Sequence, residues 1–224
     1  MDHTMKAIKI NYSPADGDAL TGQSKWWGSA DLPEDMDYPF IPYDDGDDDP
    51  MTFICQIRCA DLAEADSEGL LPHVGMLYFF ADIDRYVGAL HNDDEDFYDE
   101  DSYGFNGMGE WDPEAFRVLY SPTEEGLHTH DVTDCEGQPY GLPAERLDFE
   151  ALEHAETLDT KLLGMPFEVE VQQEYPGYIN LLQVWEEDRW GFFMYDCGIL
   201  SFLIKPEDLK ARLFDRVVVY LHSC

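Results

Sequence analysis

Apolar residues fall on both parities of Phe53-Ile54-Cys55-Gln56-Ile57, Leu77-Tyr78-Phe79-Phe80, Ile199-Leu200-Ser201-Phe202-Leu203-Ile204 and Val217-Val218-Val219-Tyr220-Leu221. A strand with water on one face has no use for that pattern, so these four runs predict central strands covered on both sides. Phe167, Val169 and Val171 alternate with Glu168, Glu170 and Gln172, a period of two that predicts a half-exposed strand. Helical spacing is rarer. Asp148 is placed to cap a helix carrying Phe149, Leu152, Ala155 and Leu158, and Pro206 suits the first turn of a short helix through Leu209 and Leu213. The fold class reads as α+β, with mostly antiparallel β-sheets and few helices.

The pattern also repeats. Phe53–Ile57 aligns with Asn180-Leu181-Leu182-Gln183-Val184, and Gly75-Met76-Leu77-Tyr78-Phe79-Phe80 with Gly198–Leu203. Gln56 precedes Gly75 by 19 residues and Gln183 precedes Gly198 by 15. Upstream of each block stands a Lys-x-x-Gly followed by Pro: Lys25, Gly28 and Pro33, then Lys161, Gly164 and Pro166. Two units are too few for a solenoid, so the expectation is a single domain over residues 1–224 made of two related halves, roughly 24–90 and 160–214, closing on each other. A coincidence of short apolar runs is the competing explanation. Trp26, Trp27, Trp185 and Trp190 would pack the two half-cores or, if exposed, anchor a partner.

Charge narrows the possible partners. The 224 residues contain 49 Asp and Glu against 13 Lys and Arg, a formal net charge of −36. Such a surface repels phosphate and anionic lipid headgroups, which argues against nucleic-acid and membrane binding and favours cationic partners. With 44% hydrophobic and 14% aromatic residues the chain is nonetheless equipped to fold, unlike an acidic disordered tail. Met1–Ile10 lacks a signal-peptide apolar run and no 18-residue apolar stretch follows, so a cytoplasmic location is expected. Five scattered cysteines, Cys55, Cys59, Cys135, Cys197 and Cys224, fit reduced thiols. Cys55 and Cys59, four apart in a predicted strand, read as buried small hydrophobes.

Acidity is concentrated in two segments. One carries Asp44, Asp45, Asp47, Asp48 and Asp49; the other carries Asp93, Asp94, Glu95, Asp96, Asp99, Glu100 and Asp101, and neither contains a Lys or Arg. Carboxylates crowded within a Debye length of about 8 Å repel one another, and a basic partner would relieve that repulsion. These twelve residues are therefore the candidate partner-binding set, with solvation of a soluble surface as the alternative reading. Weak divalent-cation binding is compatible with the same loops, but no EF-hand register fits: counting from Gly46 places Ile41 and Tyr43 in the first and third ligand positions, and counting from Gly104 places Tyr103 in the fifth. His128, His130, Asp131 and Cys135 make a loose metal-ligand set. The glycines at 104, 107 and 109 follow seven carboxylates, which opposes phosphate. There is no G-x-S-x-G elbow, and His73, His91, His154 and His222 support no acid–base assignment. No catalytic residue, dedicated metal site or cofactor is named.

Ser24-Lys25-Trp26-Trp27-Gly28, Leu32-Pro33, Tyr38-Pro39, Phe53–Ile57, Leu71-Pro72 and Gly75–Phe80 together resemble the N-terminal half of the YwqG-like family of bacterial proteins of unknown function. Leu162-Leu163-Gly164-Met165-Pro166, Leu181-Leu182-Gln183-Val184, Trp190-Gly191, Asp196–Phe202, Asp208-Leu209 and Phe214 resemble its second half, so the ordered match runs from about residue 24 to 224. The chain departs from the family at Trp185-Glu186-Glu187-Asp188 and in the wider Trp-Gly to Asp-x-Gly spacing made by Phe192–Tyr195. The resemblance implies a duplicated α+β protein, neighbourhoods of toxin-immunity genes and no accepted enzyme activity. The expected function is a non-catalytic acidic binding protein that docks a basic protein partner, in its specific form an immunity protein against a bacterial toxin. The alternative is a hydrolase or metal-assisted enzyme with its site in the cleft between the halves.

Overall fold

The computed structural model describes residues 6–17, 20–41, 49–83, 108–133, 137, 141–152, 157–187, 190 and 197–223. In chain order the strands are β1 (Ala7–Pro14), β2 (Lys25–Trp26), β3 (Ala30–Pro33), β4 (Phe40–Ile41), β5 (Asp49–Pro50), β6 (Thr52–Arg58) and β7 (Met76–Ala81). They continue with β8 (Gly109–Glu110), β9 (Phe116–Ser121), β10 (Leu127–His130), β11 (Glu145–Leu152), β12 (Lys161–Leu163), β13 (Ile179–Trp185), β14 (Ile199–Ile204) and β15 (Val218–His222). Eleven of them form one antiparallel sheet in the order β8-β15-β14-β13-β12-β1-β11-β2-β6-β7-β9, while β10 pairs with β3 and β4 with β5. Two short helices, α1 (Val169–Glu174) and α2 (Pro206–Lys210), complete the described elements apart from 3₁₀ turns. None of the described helices is long and apolar enough to cross a membrane.

The sheet curls over its own core. Six strands separate β7 from β14 in the sheet order, which in a flat sheet would hold them about 34 Å apart at ~4.8 Å per strand. Yet Phe79 of β7 and Phe202 of β14 meet edge to face with ring centroids 5.4 Å apart, and Phe116 of β9 reaches the same Phe202 at 6.3 Å. The residues of both parities in β6, β7 and β14 are buried because one parity faces this shared core. On the other face of β6 and β7, Phe53, Met76, Tyr78 and Phe80 meet Leu32 of β3 and Tyr38. Each large side chain fully buried in this way contributes roughly 1.5–3 kcal/mol.

The middle of the sheet is built by β1 and β11, which pair along eight residues from Ala7 opposite Leu152 to Pro14 opposite Glu145. On its far edge β1 pairs with β12, and β11 pairs with β2. Outward from that centre run β2-β6-β7-β9 on one side and β12-β13-β14-β15 on the other. The two wings agree in detail. Lys25 stands opposite Gln56 and Lys161 opposite Gln183, and the register slips between Phe53 and Cys55 in one wing and between Asn180 and Leu182 in the other. Trp27-Gly28 and Leu163-Gly164 both turn through left-handed backbone, with φ of +57° and +76° and of +59° and +76°.

Three of the four strands, β6, β7 and β14, are covered on both sides as the pattern predicts, whereas β15 starts at Val218 and keeps Val218, Tyr220 and His222 only partly buried; the Pro206 helix forms but ends at Lys210, before Leu213. Two further assignments are corrected. Asp148 does not cap a helix: it lies inside β11, where Leu147 is buried and the residue opposite Asp148 is Asn11 of β1. The i, i+3 spacing of Phe149 and Leu152 is outweighed by eight residues of pairing with a strand some 140 positions away; Ala155 lies outside the described residues. Conversely, Val169 and Val171 sit in helix α1. Val171 and Tyr175, one turn apart, pack on Leu203 of β14, Gln172 Nε2 donates back to the Pro166 carbonyl at 2.8 Å, and Phe167 and Val169 are left exposed.

Candidate functional site

Lys25 opens strand β2 beside Trp26 and is almost completely buried. An isolated ammonium there would be prohibitively costly, so its environment must supply an anion. Asp31 of β3 does so: Lys25 Nζ donates to its carboxylate at 2.7 Å, with the two side chains 1% and 0% exposed. The same carboxylate accepts from the Gly22 N–H at 3.0 Å, Gln56 Nε2 at 2.7 Å and the Thr129 hydroxyl of β10 at 2.6 Å. Gln56 closes the network, its carbonyl accepting the Asp31 N–H at 2.8 Å while Nε2 also donates to the Gln23 carbonyl at 3.0 Å. Burial alone would raise the Asp31 carboxyl, but the Lys25, Thr129 and Gly22 donors outweigh it and hold the group below its ordinary value. Asp31 is thus a committed carboxylate. The Tyr78 hydroxyl adds a bond to the Asp31 carbonyl at 2.7 Å, and burial pushes that phenol up.

Beside this network opens a cavity of about 580 Å³. Its walls are the Pro14–Gly17 turn, Trp27 to Ser29, Leu142 to Glu145, Thr129 and Asp131, and Trp190. Gly28 is required at the rim: at φ +76° a Cβ would stand 2.8 Å from the Ala144 Cβ. Aromatic packing sets the inner wall. Trp190 stacks on Trp26 with centroids 5.4 Å apart, meets Trp27 edge-on at 5.3 Å and tilts against Tyr12 at 5.4 Å. Trp190 Nε1 donates to Glu145 at 3.1 Å, and the Tyr12 hydroxyl bonds Glu187. Asp131 accepts from the Ser29 hydroxyl at 2.7 Å. Lys25 and three carboxylates, Asp16, Asp131 and Glu145, border the same opening, and with Lys25 paired to Asp31 the remaining charge suits a cationic group through its negative potential.

Of the twelve acidic residues proposed from sequence, only Asp49 is among the described residues, exposed in β5 opposite Ile41. Asp44, Asp45, Asp47, Asp48 and the seven from Asp93 to Asp101 lie outside them. His128 and His130 are in β10, with His130 tilted against Tyr38 at 6.1 Å; Cys135 lies outside the described residues. Cys55 is buried in β6, and Cys59 opens the following 3₁₀ turn rather than continuing the strand. Both thiols are free, as expected, but Cys197 is disulfide-bonded. Linear spacing does not report which cysteines approach within bonding distance, so that expectation of five reduced thiols fails at Cys197. Lys25, Asp31 and Glu145 were not singled out as site residues, and Asp131 was named only within the loose metal-ligand set, not for this cavity. The available signal was a lysine directly before the Trp26-Trp27 pair, since a charge drawn into a core beside two indoles announces a partner.

A family model described as a domain of unknown function (DUF1963) matches residues 24–224 of the chain. No curated protein sequence matches it.

Proposed function

The chain belongs to the DUF1963 family, which carries no assigned activity, and we propose from the site's geometry that it is a non-catalytic binding protein that takes a basic group of a cationic partner into the Trp27–Trp190 cavity. The observation that carries this reading is the joint lining of two tryptophans and three carboxylates in a molecule of net charge −36. The long-range field would add to the encounter rate and to discrimination against anionic competitors. Lys25 does not oppose the incoming cation, because Asp31 neutralises it at 2.7 Å. In its specific form the partner is a basic toxin, the protein occludes it, and the acidic loops at 44–49 and 93–101 extend the contact; the charge and the YwqG-like segments support this form. The same segments, the matched Lys–Gln nodes and the matched register slips support an origin of the two wings by duplication. An enzyme in the cleft is the less supported reading, since its most buried charged lining group, Lys25, is spent on Asp31 behind it.

The test is titration with an oligoarginine peptide, with an oligoglutamine peptide as the neutral control, read by tryptophan fluorescence and calorimetry over a salt series. Glu145→Gln with Asp131→Asn should weaken oligoarginine binding by about tenfold for each roughly 1.4 kcal/mol lost. Charge reversal of Asp93, Asp94, Glu95 and Asp96 to Lys should lower the affinity and its salt dependence. If the cavity variant binds as the native protein does, the cavity claim is wrong; if the loop variant does, the loops are solvating surface.

A further inference from the structure

The face of β14 and β15 opposite the main core carries a second set of groups. Val219 and Leu221 point to that core and are buried, so Val218, Tyr220 and His222 share the other face by strand alternation. Helix α1 docks there through Val171 and Tyr175, against Leu203, Val218 and Tyr220. This docking brings Glu168, immediately before the helix, and Glu170, in its first turn, over the end of β15. The ligand atoms of Glu168, Glu170 and His222 all lie within 4.8 Å of one another.

Two details point to an ion between them. His222 Nε2 and Glu168 Oε2 are 3.6 Å apart, too long for a hydrogen bond. It is close to the ~3.4 Å that separates nitrogen and oxygen ligands of one tetrahedral Zn²⁺ with bonds near 2.0–2.2 Å. Glu168 makes no capping bond to its own helix, so its carboxylate is not spent on the backbone. The donors are also mixed: an imidazole from a strand and two carboxylates from a separate element. An imidazole with carboxylates favours first-row transition metals over Ca²⁺ or Mg²⁺, which take oxygen. We propose that Glu168, Glu170 and His222 form a binding site for a first-row transition-metal ion, Zn²⁺ being the best match, with its remaining positions open to solvent beside the exposed Glu170. This site is independent of the Trp27–Trp190 cavity, and its occupation would tie helix α1 to β15.

The experiment uses untagged full-length protein stripped with a chelator and titrated with Zn²⁺ by calorimetry. Co²⁺ serves as a spectroscopic probe, and His222 is followed by ¹⁵N imidazole NMR. The expected result is one tight equivalent of Zn²⁺, a shift of the His222 ring nitrogen on binding and a rise in Tm. His222→Ala and Glu168→Gln should each weaken that site by about a hundredfold or more, since even groups one shell removed from a metal are worth roughly 10–100-fold. Glu170→Gln, at an exposed position that folding does not need, carries the same test should either of the others fail to fold. His128→Ala with His130→Ala should leave it unchanged. The proposal is overturned if the Glu170→Gln and His222→Ala proteins bind Zn²⁺ as tightly as the native one, or if the His128/His130 variant is the one that loses it.

Discussion

Removing Asp31 should cost more than removing Lys25, although the two form one ion pair. Asp31→Ala withdraws a single acceptor from four donors, Lys25 Nζ, Gly22 N, Gln56 Nε2 and Thr129 Oγ1, and leaves an ammonium 1% exposed without its counter-ion. Breaking a buried pair from one side costs about 3–5 kcal/mol, and the other stranded donors push the loss to the top of that range. Lys25→Met keeps the stem volume and leaves Asp31 with three donors, so its loss should sit near the bottom, about 3 kcal/mol. Urea unfolding followed by fluorescence gives both numbers from the midpoints at constant m. Acidification supplies a second reading. The folded carboxyl is held below its unfolded value, so its contribution is complete above an unfolded pKa of about 4 and is lost as pH falls through the lower folded value. Asp31→Asn should therefore lose less stability than the native protein between about pH 4 and pH 2. Equal losses for Lys25→Met and Asp31→Ala, or an Asp31→Ala protein within about 1 kcal/mol of native, would refute the network as described.

Glycine substitutions should grade with the space around each Cβ. Gly17→Ala, with nothing within 4 Å, should lose only the left-handed penalty of about 1 kcal/mol; Gly28→Ala should lose about 2 kcal/mol and be partly rescued by Ala144→Gly; Gly75→Ala, 2.0 Å from the Ser121 carbonyl, should fail to fold, all read by thermal denaturation. Gln56→Leu and Gln183→Leu should cost similar amounts, about 3 kcal/mol each, because each buried amide serves two or more backbone partners, Asp31 N and Gln23 O for one, Phe167 N and Asp159 O for the other. Cys59, with its thiol pushed up to about 12 by burial, and Cys55, raised well above the usual range by the same cause, should resist iodoacetamide at neutral pH until the protein unfolds, as followed by mass spectrometry.

The sequence was most informative where burial is two-sided. Residues such as Tyr78 and Leu203 are apolar on the parity facing a secondary cluster as well as on the core parity, so β7 and β14 stand out without any partner being known. It was least informative where a partner distant in the chain decides the structure. Nothing local to Asp148-Phe149-Glu150 distinguishes a helix from a strand that exists because β1 lies beside it. At Val169–Val171 the alternation is genuine, but the surface available for docking is the Leu203–Tyr220 face, and a short helix reaches it with Val171 and Tyr175. The repeated Lys and Gln were visible as letters; that each lysine stands directly across from its glutamine is a property of register, which short strands of two or three residues do not declare.

The cavity's place in the molecule follows from how the two wings are joined. If β1 paired with β2, the strand that follows it, and β11 with β12, each wing could close alone and the Trp26–Trp27 edge would face solvent. Instead β11 lies beside β2 and β1 beside β12, so every central strand is held by the wing to which it does not lead. Glu145, the first residue of β11, thereby stands opposite Trp26, and its carboxylate is positioned to accept from Trp190, which follows β13 of the other wing. Trp190 then completes the wall begun by Trp27. The walls of the cavity come from sequence positions more than 170 residues apart, from Pro14 to Trp190, and the exchange of β1 and β11 is what brings them together. A half-chain ending before β11 would contain Lys25, Asp31 and Trp27 but neither Glu145 nor Trp190, so the buried charge network could persist there in principle while the Glu145–Trp190 wall could not.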